Sequence, residues 1–269
     1  MTPLEPNTVL KYSPLVHEMH DALRALQFPT LPHCEGRKEL MTGLLGTGIG
    51  QAMYLLNELH TALGEPGDIC EFGVAQGATS ALLANEIRGT TKILWLYDSF
   101  TGLPKPAAQD KLKDDIFRLG SIERYEGEMR CDASEVRIRL DRIGFPAVRT
   151  RIQAGRVEET LRDGLGPETV CFAYVDFDFY AGIAHALDYL HRHLAPGGRV
   201  VVDDYDFFST GAKTAVDEFV ARHDGRYELQ LPLPFAGHFC LLRPAPTGFR
   251  KWFGPPSKRN TGSKVSRRR

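Results

Sequence analysis

The chain has 269 residues, of which 42% are hydrophobic, and a formal net charge of −1. This length and composition exclude a fibrous or wholly disordered protein and predict one large globular domain with appendages. No apolar run approaches the length that spans a bilayer, and residues 1–13 lack the pattern of a secretory signal, so we expect a cytoplasmic protein that does not act at a membrane. Five cysteines without a Cys-x-x-Cys pair fit a reducing compartment.

Positive charge is concentrated at the C-terminus. From residue 247 onward there are eight Lys or Arg and no acid, and subtracting this +8 from the total of −1 leaves −9 on the preceding residues. We interpret residues 246–269 as a basic, solvated and disordered tail. The alternative is that the tail contacts nucleic acid or another acidic partner.

Residues 1–66 are predicted to form a helical N-terminal cap. The helical pattern is interrupted at Pro29, at Pro32 and by the glycines between 43 and 50. The leucine-rich stretch at 15–26 is also a candidate surface for packing on a second subunit, which would make the protein a homo-oligomer.

From residue 67 to 245, short apolar runs alternate with helical patterns, which is typical of a Rossmann-like α/β core with a mainly parallel sheet. The predicted strands are 68–74, 92–100, 148–155, 169–177, 198–205, 227–233 and 237–244. The predicted helices are 78–88, 156–164, 180–194 and 211–223. The last two strands are joined by too few residues for a crossover, so we expect a seven-stranded sheet that ends in an antiparallel strand.

An insertion at about 101–147 separates the second and third predicted strands. It contains two helical patterns, at 107–120 and 132–144. Ligands of open parallel sheets bind beyond the carboxyl ends of the strands, so an insertion at this position is expected to act as a lid over the site.

A glycine turn follows the first predicted strand and precedes a helix. Gly73 and Gly77 allow a ligand to approach the backbone, and the free amides of the helix start can bind an anion. Asp98 ends the next strand, from which a carboxylate can accept both hydroxyls of a ribose. Together they point to a nucleoside-containing cofactor, although the glycines alone also fit tight packing and the aspartate alone fits a cap. The Gly-x-Gly-x-x-Gly pattern of nicotinamide-binding folds is missing from the sequence.

Acids terminate two further predicted strands. Asp176 ends the fourth, and Asp203 and Asp204 end the fifth. Because neighbouring strands lie ~4.8 Å apart, we expect these three carboxylates to converge, and a hard cation such as Mg²⁺ would relieve their repulsion. Two alternatives remain: Asp178 caps the following helix, and one acid of the 203–204 pair faces solvent.

Five segments carry a resemblance to a known family: MTGLLG at 41–46, GDICEFGVAQGAT at 67–79, YDSFTGLP at 97–104, YVDFDFY at 174–180 and APGGRVVVDDYDFFSTGAKTAVDEF at 195–219. In these segments the chain resembles the macrocin O-methyltransferase family of sugar-methylating enzymes. The resemblance implies a class I methyltransferase fold, S-adenosylmethionine as cofactor, and Mg²⁺ held by three aspartates. The lid and the residues after the first metal aspartate match the family poorly.

The resemblance also assigns roles to individual residues. The metal ligands would be Asp176, Asp203 and Asp204. The implied cofactor-binding residues are Met41, Thr42, Glu71, Gly73, Gly77, Asp98, Ser99, Ala154 and Gly155.

The sequence and the resemblance together predict Mg²⁺-dependent methyl transfer to a hydroxyl of a sugar or another small molecule in natural-product biosynthesis. Asp176 is the first candidate for the general base, with Asp178 and His238 as alternatives. A methyltransferase acting on nucleic acid is disfavoured because the sequence lacks an Asn-Pro-Pro-Tyr or Asp-Pro-Pro-Tyr motif and the body is acidic. A non-catalytic, cofactor-binding partner subunit is the other alternative.

Overall fold

The structure is a computed structural model that describes residues 6–161 and 166–246. The predicted disorder of the tail therefore falls outside the described residues, apart from residue 246. Among the residues described, none of the helices is both long enough and apolar enough to cross a bilayer.

The described residues form a seven-stranded sheet of order β3-β2-β1-β4-β5-β7-β6. The first five strands pair in parallel, and β7 runs antiparallel to both β5 and β6, which confirms the predicted fold class. The strands are β1 Asp68–Phe72, β2 Leu94–Asp98, β3 Thr150–Ala154, β4 Val170–Val175, β5 Leu194–Val202, β6 Tyr227–Gln230 and β7 Cys240–Pro244.

Helices cover both faces of the sheet. They are α1 Pro6–Leu26, α2 Arg37–Met41, α3 Ile49–Ala62, α4 Ala78–Glu86, α5 Ala133–Arg142, α6 Val157–Thr160, α7 Tyr180–His193 and α8 Thr210–Arg222, with short 3₁₀ turns at Ile122–Tyr125, Ala147–Arg149 and Pro234–Ala236. The helix predicted at 156–164 is shorter, and residues 162–165 are outside the described part of the chain.

The core is divided by the sheet because successive strand residues point to opposite faces. On β4, Phe172 and Tyr174 join a cluster with α3 and α4, whereas Ala173 and Val175 join a cluster with α7 and α8. All six residues of β4 are buried, as expected for a central parallel strand covered on both sides. The strand ends are thereby held rigidly at one edge of the sheet.

The insertion between β2 and β3 has only one of its two predicted α-helices. The second prediction is confirmed by α5, but 107–120 consists of turns, so that prediction is wrong. The backbone of residues 107–120 instead pairs with the residues around the start of α8. Lys113 and Asp114 both donate N–H groups to the carbonyl of Phe208, and Thr210 N donates to the carbonyl of Lys111. These bonds satisfy the groups that a helix would have satisfied internally.

Candidate functional site

The carboxyl ends of the central strands meet at one edge of the sheet. Backbone pairing continues one residue beyond the strands: Gly73 N donates to Tyr97 O at 2.9 Å, Asp176 N to Phe72 O at 2.6 Å, and Asp203 N to Val175 O at 2.8 Å. The glycine turn and the acids predicted from the sequence therefore leave the sheet side by side.

The glycine turn is required by the close approach of two strand ends. Gly73 has φ 91°, and a Cβ added there would overlap the carbonyl of Asp176. Gly77 has φ 75° at the start of α4, where a Cβ would lie 3.0 Å from Val136 Cγ1. Close packing alone therefore accounts for both glycines. The missing side chains also allow a ligand to approach the backbone of the turn.

Asp98 fixes the conformation of this turn. Its Oδ2 accepts hydrogen bonds from the amides of Val74 at 2.8 Å and Ala75 at 2.9 Å, while Oδ1 accepts from Phe100 N at 2.7 Å. Ala75 has φ 45°, a conformation that these bonds help to hold. Asp98 therefore acts as a cap. Its Oδ2 already accepts two hydrogen bonds, whereas Oδ1 accepts one and keeps a further lone pair for a ligand.

Other predicted cofactor residues lie beside Asp98. Ala154 is its register partner on β3, and Gly155 N donates to the Asp98 carbonyl at 3.0 Å. Ser99 Oγ accepts from Thr101 N at 3.1 Å, and its hydroxyl lies 3.3 Å from the carbonyl of Gly102. These residues form a continuous rim along the ends of β2 and β3.

Glu71 carries an unpartnered buried oxygen next to the turn. The residue is 1% exposed, Ser80 Oγ donates to its Oε2, and Oε1 has no partner among the described residues. Burial raises the pKa of Glu71 to about 8, and the nearby charge of Asp98 adds to this rise, against the hydrogen bond from Ser80. Such an oxygen is a site at which a cationic or donor group of a ligand would be stabilised.

Met41 and Thr42 lie at the end of α2. Met41 is buried in the same hydrophobic cluster as Val74 of the glycine turn. Thr42 Oγ1 donates to Glu39 O at 2.6 Å and so closes the helix. The structure places this segment on the side of the sheet that carries α3 and α4.

Three carboxyl groups meet at the ends of β4 and β5. Oxygens of Asp176, Asp178 and Asp204 lie within 4.8 Å of one another, which is a spacing suited to a shared cation. Asp178 has φ 59° and Asp204 has φ 56°, so two of the three residues have left-handed backbone conformations that turn their side chains toward the group. We call these three residues the acidic cluster.

Asp203 lies next to the acidic cluster but is held by other groups. Its Oδ2 is 2.7 Å from the hydroxyl of Tyr174, and its Oδ1 accepts from Asp204 N at 2.7 Å. The sequence had suggested Asp203 as a ligand and, as an alternative, Asp178 as a helix cap. In the structure the N-cap position of α7 is Phe179, and the first amide of the helix, Tyr180 N, donates to Asp110 Oδ1. The assignment of Asp203 as a metal ligand stays a prediction.

The electrostatics of the acidic cluster favour a bound cation. Withdrawal from water raises the pKa of Asp176 well above its usual range, and the charges of Asp203 and Asp204 raise it further. The pKa of Asp178 is also raised, by burial and then by Asp176, and that of Asp204 by burial and then by Asp203. A divalent ion would offset both the cost of burying these carboxylates and their mutual repulsion, so the residues present fit Mg²⁺.

His238 lies near Asp203. Its ring stacks on Phe207 with centroids 4.0 Å apart, and its carbonyl accepts from Tyr205 N at 2.8 Å. The imidazole helps to lower the pKa of Asp203 against the larger effect of burial. His238 is therefore close enough to the acids to influence their charge.

Two residues of the site were missed by the sequence reasoning. Tyr174 has a detectable signal, because it precedes Asp176 by two positions and so faces the same side of β4. Asp110 has none, because it lies in an insertion 70 residues from the helix that it caps.

The comparison with protein families agrees with this geometry. The model of the family described as macrocin-O-methyltransferase matches residues 51–231. The chain belongs to this family. The match includes the glycine turn, the acidic cluster and the insertion between β2 and β3, and its C-terminal limit lies just after β6.

Curated family members are similar over part of their length. The chain is 30% identical over 179 residues to 8-demethyl-8-(2,3-dimethoxy-alpha-L-rhamnosyl)-tetracenomycin-C 4'-O-methyltransferase of Streptomyces olivaceus, covering 65% of each protein. It is 28% identical over 165 residues to mycinamicin III 3''-O-methyltransferase of Micromonospora griseorubida, covering 60% of this chain and 63% of the relative.

A solved structure shares the fold. The O-methyltransferase NovP superposes with a TM-score of 0.64 at 22% identity, covering 87% of this chain and 99% of that one. The likeness shows that the two chains share the same fold.

Proposed function

We propose that this member of the macrocin-O-methyltransferase family is an S-adenosylmethionine-dependent, Mg²⁺-dependent O-methyltransferase. The observation that carries the proposal is the acidic cluster, whose three carboxyl groups lie within 4.8 Å beside a glycine turn. In the proposed reaction S-adenosylmethionine supplies the methyl group, and Mg²⁺ supplies the positive charge that lowers the pKa of an acceptor hydroxyl.

The glycine turn and its neighbours would hold the cofactor. The helix start at Ala78 offers backbone N–H groups for the cofactor's carboxylate. Asp98 Oδ1 has a lone pair for a ribose hydroxyl, and Glu71 has an unpartnered oxygen for a cationic or donor group. Ala154 and Gly155 continue the rim. The residues of the turn thus fit the chemical groups of this cofactor.

Asp176, Asp178 and Asp204 would hold the metal and orient the acceptor, and Asp203, which is hydrogen-bonded to Tyr174, would be a further ligand. Asp176 is the first candidate to receive the hydroxyl proton, because its carboxyl belongs to the acidic cluster. Asp178 is the second, because its carboxyl belongs to the same group. His238 is the third, because its ring stacks on Phe207 and it is not part of the acidic cluster.

The proposed acceptor is a hydroxyl of a deoxysugar attached to a natural product. The support comes from the relatives, one of which is named for 4'-O-methylation of a rhamnosyl tetracenomycin. The acidic body of the chain also suits a neutral glycoside better than a polyanion such as nucleic acid.

The test is methyl transfer from labelled S-adenosylmethionine to a panel of rhamnosides, other deoxysugar glycosides and catechols. We expect label on a glycoside, loss of transfer with EDTA and recovery with Mg²⁺. RNA and DNA form a second arm of the panel, and salt-sensitive labelling of nucleic acid alone would contradict the proposal. Cofactor binding without transfer to any acceptor and without Mg²⁺ binding would instead favour a non-catalytic partner subunit.

A further inference from the structure

One segment of the insertion, residues 107–114, is joined to both loops that carry the acidic cluster. It pairs with the start of α8, where Thr210 Oγ1 donates to Gln109 O at 2.5 Å and accepts from Lys111 N at 3.0 Å. It is also joined to the loop after β4 through Asp110. Residues 107–114 of the insertion are therefore hydrogen-bonded directly to the segments that carry the acidic cluster.

Asp110 makes the second of these attachments from a buried position. The residue is 4% exposed, its Oδ1 accepts from Tyr180 N at 2.8 Å, and its Oδ2 accepts from Ala107 N at 2.7 Å. Gly211 leaves room for this carboxylate, because a Cβ at that position would overlap Oδ1. Both oxygens of Asp110 are thus used as acceptors.

The bond to Tyr180 restrains the backbone at Asp178. Asp178 has φ 59°, and this left-handed conformation costs energy for any residue with a side chain. The peptide groups on either side of Phe179 are both held: the Asp178 carbonyl accepts from Ser209 Oγ at 3.1 Å, and Tyr180 N donates to Asp110. Two side chains from distant segments therefore fix the one turn that brings Asp178 to Asp176 and Asp204.

We propose that Asp110 is a positioning residue, which holds the Asp178 turn in the conformation that completes the acidic cluster before a metal ion arrives. The part of this inference that concerns Mg²⁺ rests on the proposed function. Because binding effects are reciprocal, Mg²⁺ bound at the cluster would in turn strengthen the attachment of residues 107–114.

The first test uses Asp110→Asn. Asn keeps the size of the side chain but has one acceptor oxygen, so one of the two N–H groups loses its partner. Asp114→Asn is the matched control, because Asp114 lies in the same segment, carries the same charge and is exposed. Hydrogen exchange of the metal-free protein should show faster exchange at 177–180 in Asp110→Asn alone, with α1 and α3 unchanged.

The second measurement is calorimetric titration with Mg²⁺ and, separately, with S-adenosylmethionine. We expect the Mg²⁺ Kd of Asp110→Asn to rise about tenfold, the size typical for residues that orient metal ligands, while cofactor affinity stays near that of the wild type. A general loss of structure would weaken both ligands, so the difference between them identifies positioning.

Gly211→Ala gives a second variant, since its added methyl group would overlap the Asp110 carboxylate and would also lie 2.8 Å from Tyr180 N. It should reproduce the faster exchange at 177–180. If both variants exchange like the Asp114→Asn control, or bind Mg²⁺ as tightly as the wild type, Asp110 is not a positioning residue. If the wild type itself binds no Mg²⁺, the proposed function fails, and the exchange data alone then decide the inference.

Discussion

The hydroxyl of Tyr174 lies 2.7 Å from Asp203 Oδ2 and 3.1 Å from Asp176 Oδ2. One phenol therefore lies between the acids that end two neighbouring strands. Its hydrogen bonding lowers the pKa of both carboxyl groups against the larger effect of burial, so it helps to keep them ionised.

Tyr174→Phe should weaken metal binding, because protons then compete more strongly for Asp176 and Asp203. We expect the Mg²⁺ Kd to rise about tenfold near neutral pH, with a smaller effect as the pH rises, and a loss of about 1–2 kcal/mol in the free energy of unfolding. Calorimetric titration at several pH values measures the first effect and urea unfolding the second. Tyr54→Phe is the control, since the buried Tyr54 hydroxyl has no partner among the described residues. A pH-independent loss of affinity would contradict this role for Tyr174.

Substitution of the acids should impair the use of Mg²⁺ and leave the binding of S-adenosylmethionine unchanged. Asp178→Ala and Asp203→Ala are each expected to abolish Mg²⁺-stimulated methyl transfer while leaving the Kd for S-adenosylmethionine nearly unchanged. The physical reason is that both carboxyl groups lie at the ends of β4 and β5, whereas the glycine turn follows β1. Asp224→Ala, at an exposed position after α8, is the control. If Asp203→Ala retains full Mg²⁺ stimulation, the ligands are those of the acidic cluster without Asp203.

Glu71 should make the metal-free protein less stable as the pH rises. Its folded pKa of about 8 is above its ordinary value of 4.5, so its stabilising contribution is complete below about pH 4.5 and is lost progressively up to about pH 8. Glu71→Gln removes this titration. Between about pH 4.5 and pH 8 we expect the free energy of unfolding of Glu71→Gln to fall less steeply than that of the wild type. The two slopes should differ by up to about 1.4 kcal/mol per pH unit, as measured by urea unfolding in EDTA. Parallel curves for variant and wild type would show that Glu71 is not the titrating group.

The N-terminal helices depend on a buried ion pair. Arg37 on α2 donates two hydrogen bonds to Glu86 on α4, at 2.6 and 2.7 Å, and both side chains are almost fully buried. Arg37→Ala leaves the Glu86 carboxylate with His60 as its remaining hydrogen-bond partner, so we expect a loss of about 3–5 kcal/mol by chemical unfolding. Lys38→Ala breaks the neighbouring exposed pair with Asp21 and should change stability little. Similar effects of the two substitutions would show that burial does not control the energy of the Arg37 pair.

Local patterns were sufficient to predict the sheet. The apolar run before Asp176 predicts β4, and the short connection before Cys240 predicts the antiparallel end, because both depend on neighbouring residues only. The segment 107–120 shows where this approach fails. Its composition favours a helix, but its backbone bonds with Phe208 and Thr210 lie almost a hundred residues away in sequence.

The sequence by itself determined that acids, a glycine turn and Asp98 gather at one edge of the sheet, because the ends of parallel strands must meet there. Which acids meet was decided only by the tertiary structure. Asp178 reaches Asp176 and Asp204 through a left-handed turn that Asp110 and Ser209 hold from distant segments. A backbone conformation of this kind is unfavourable locally, so it is set by long-range hydrogen bonds that no local pattern reveals.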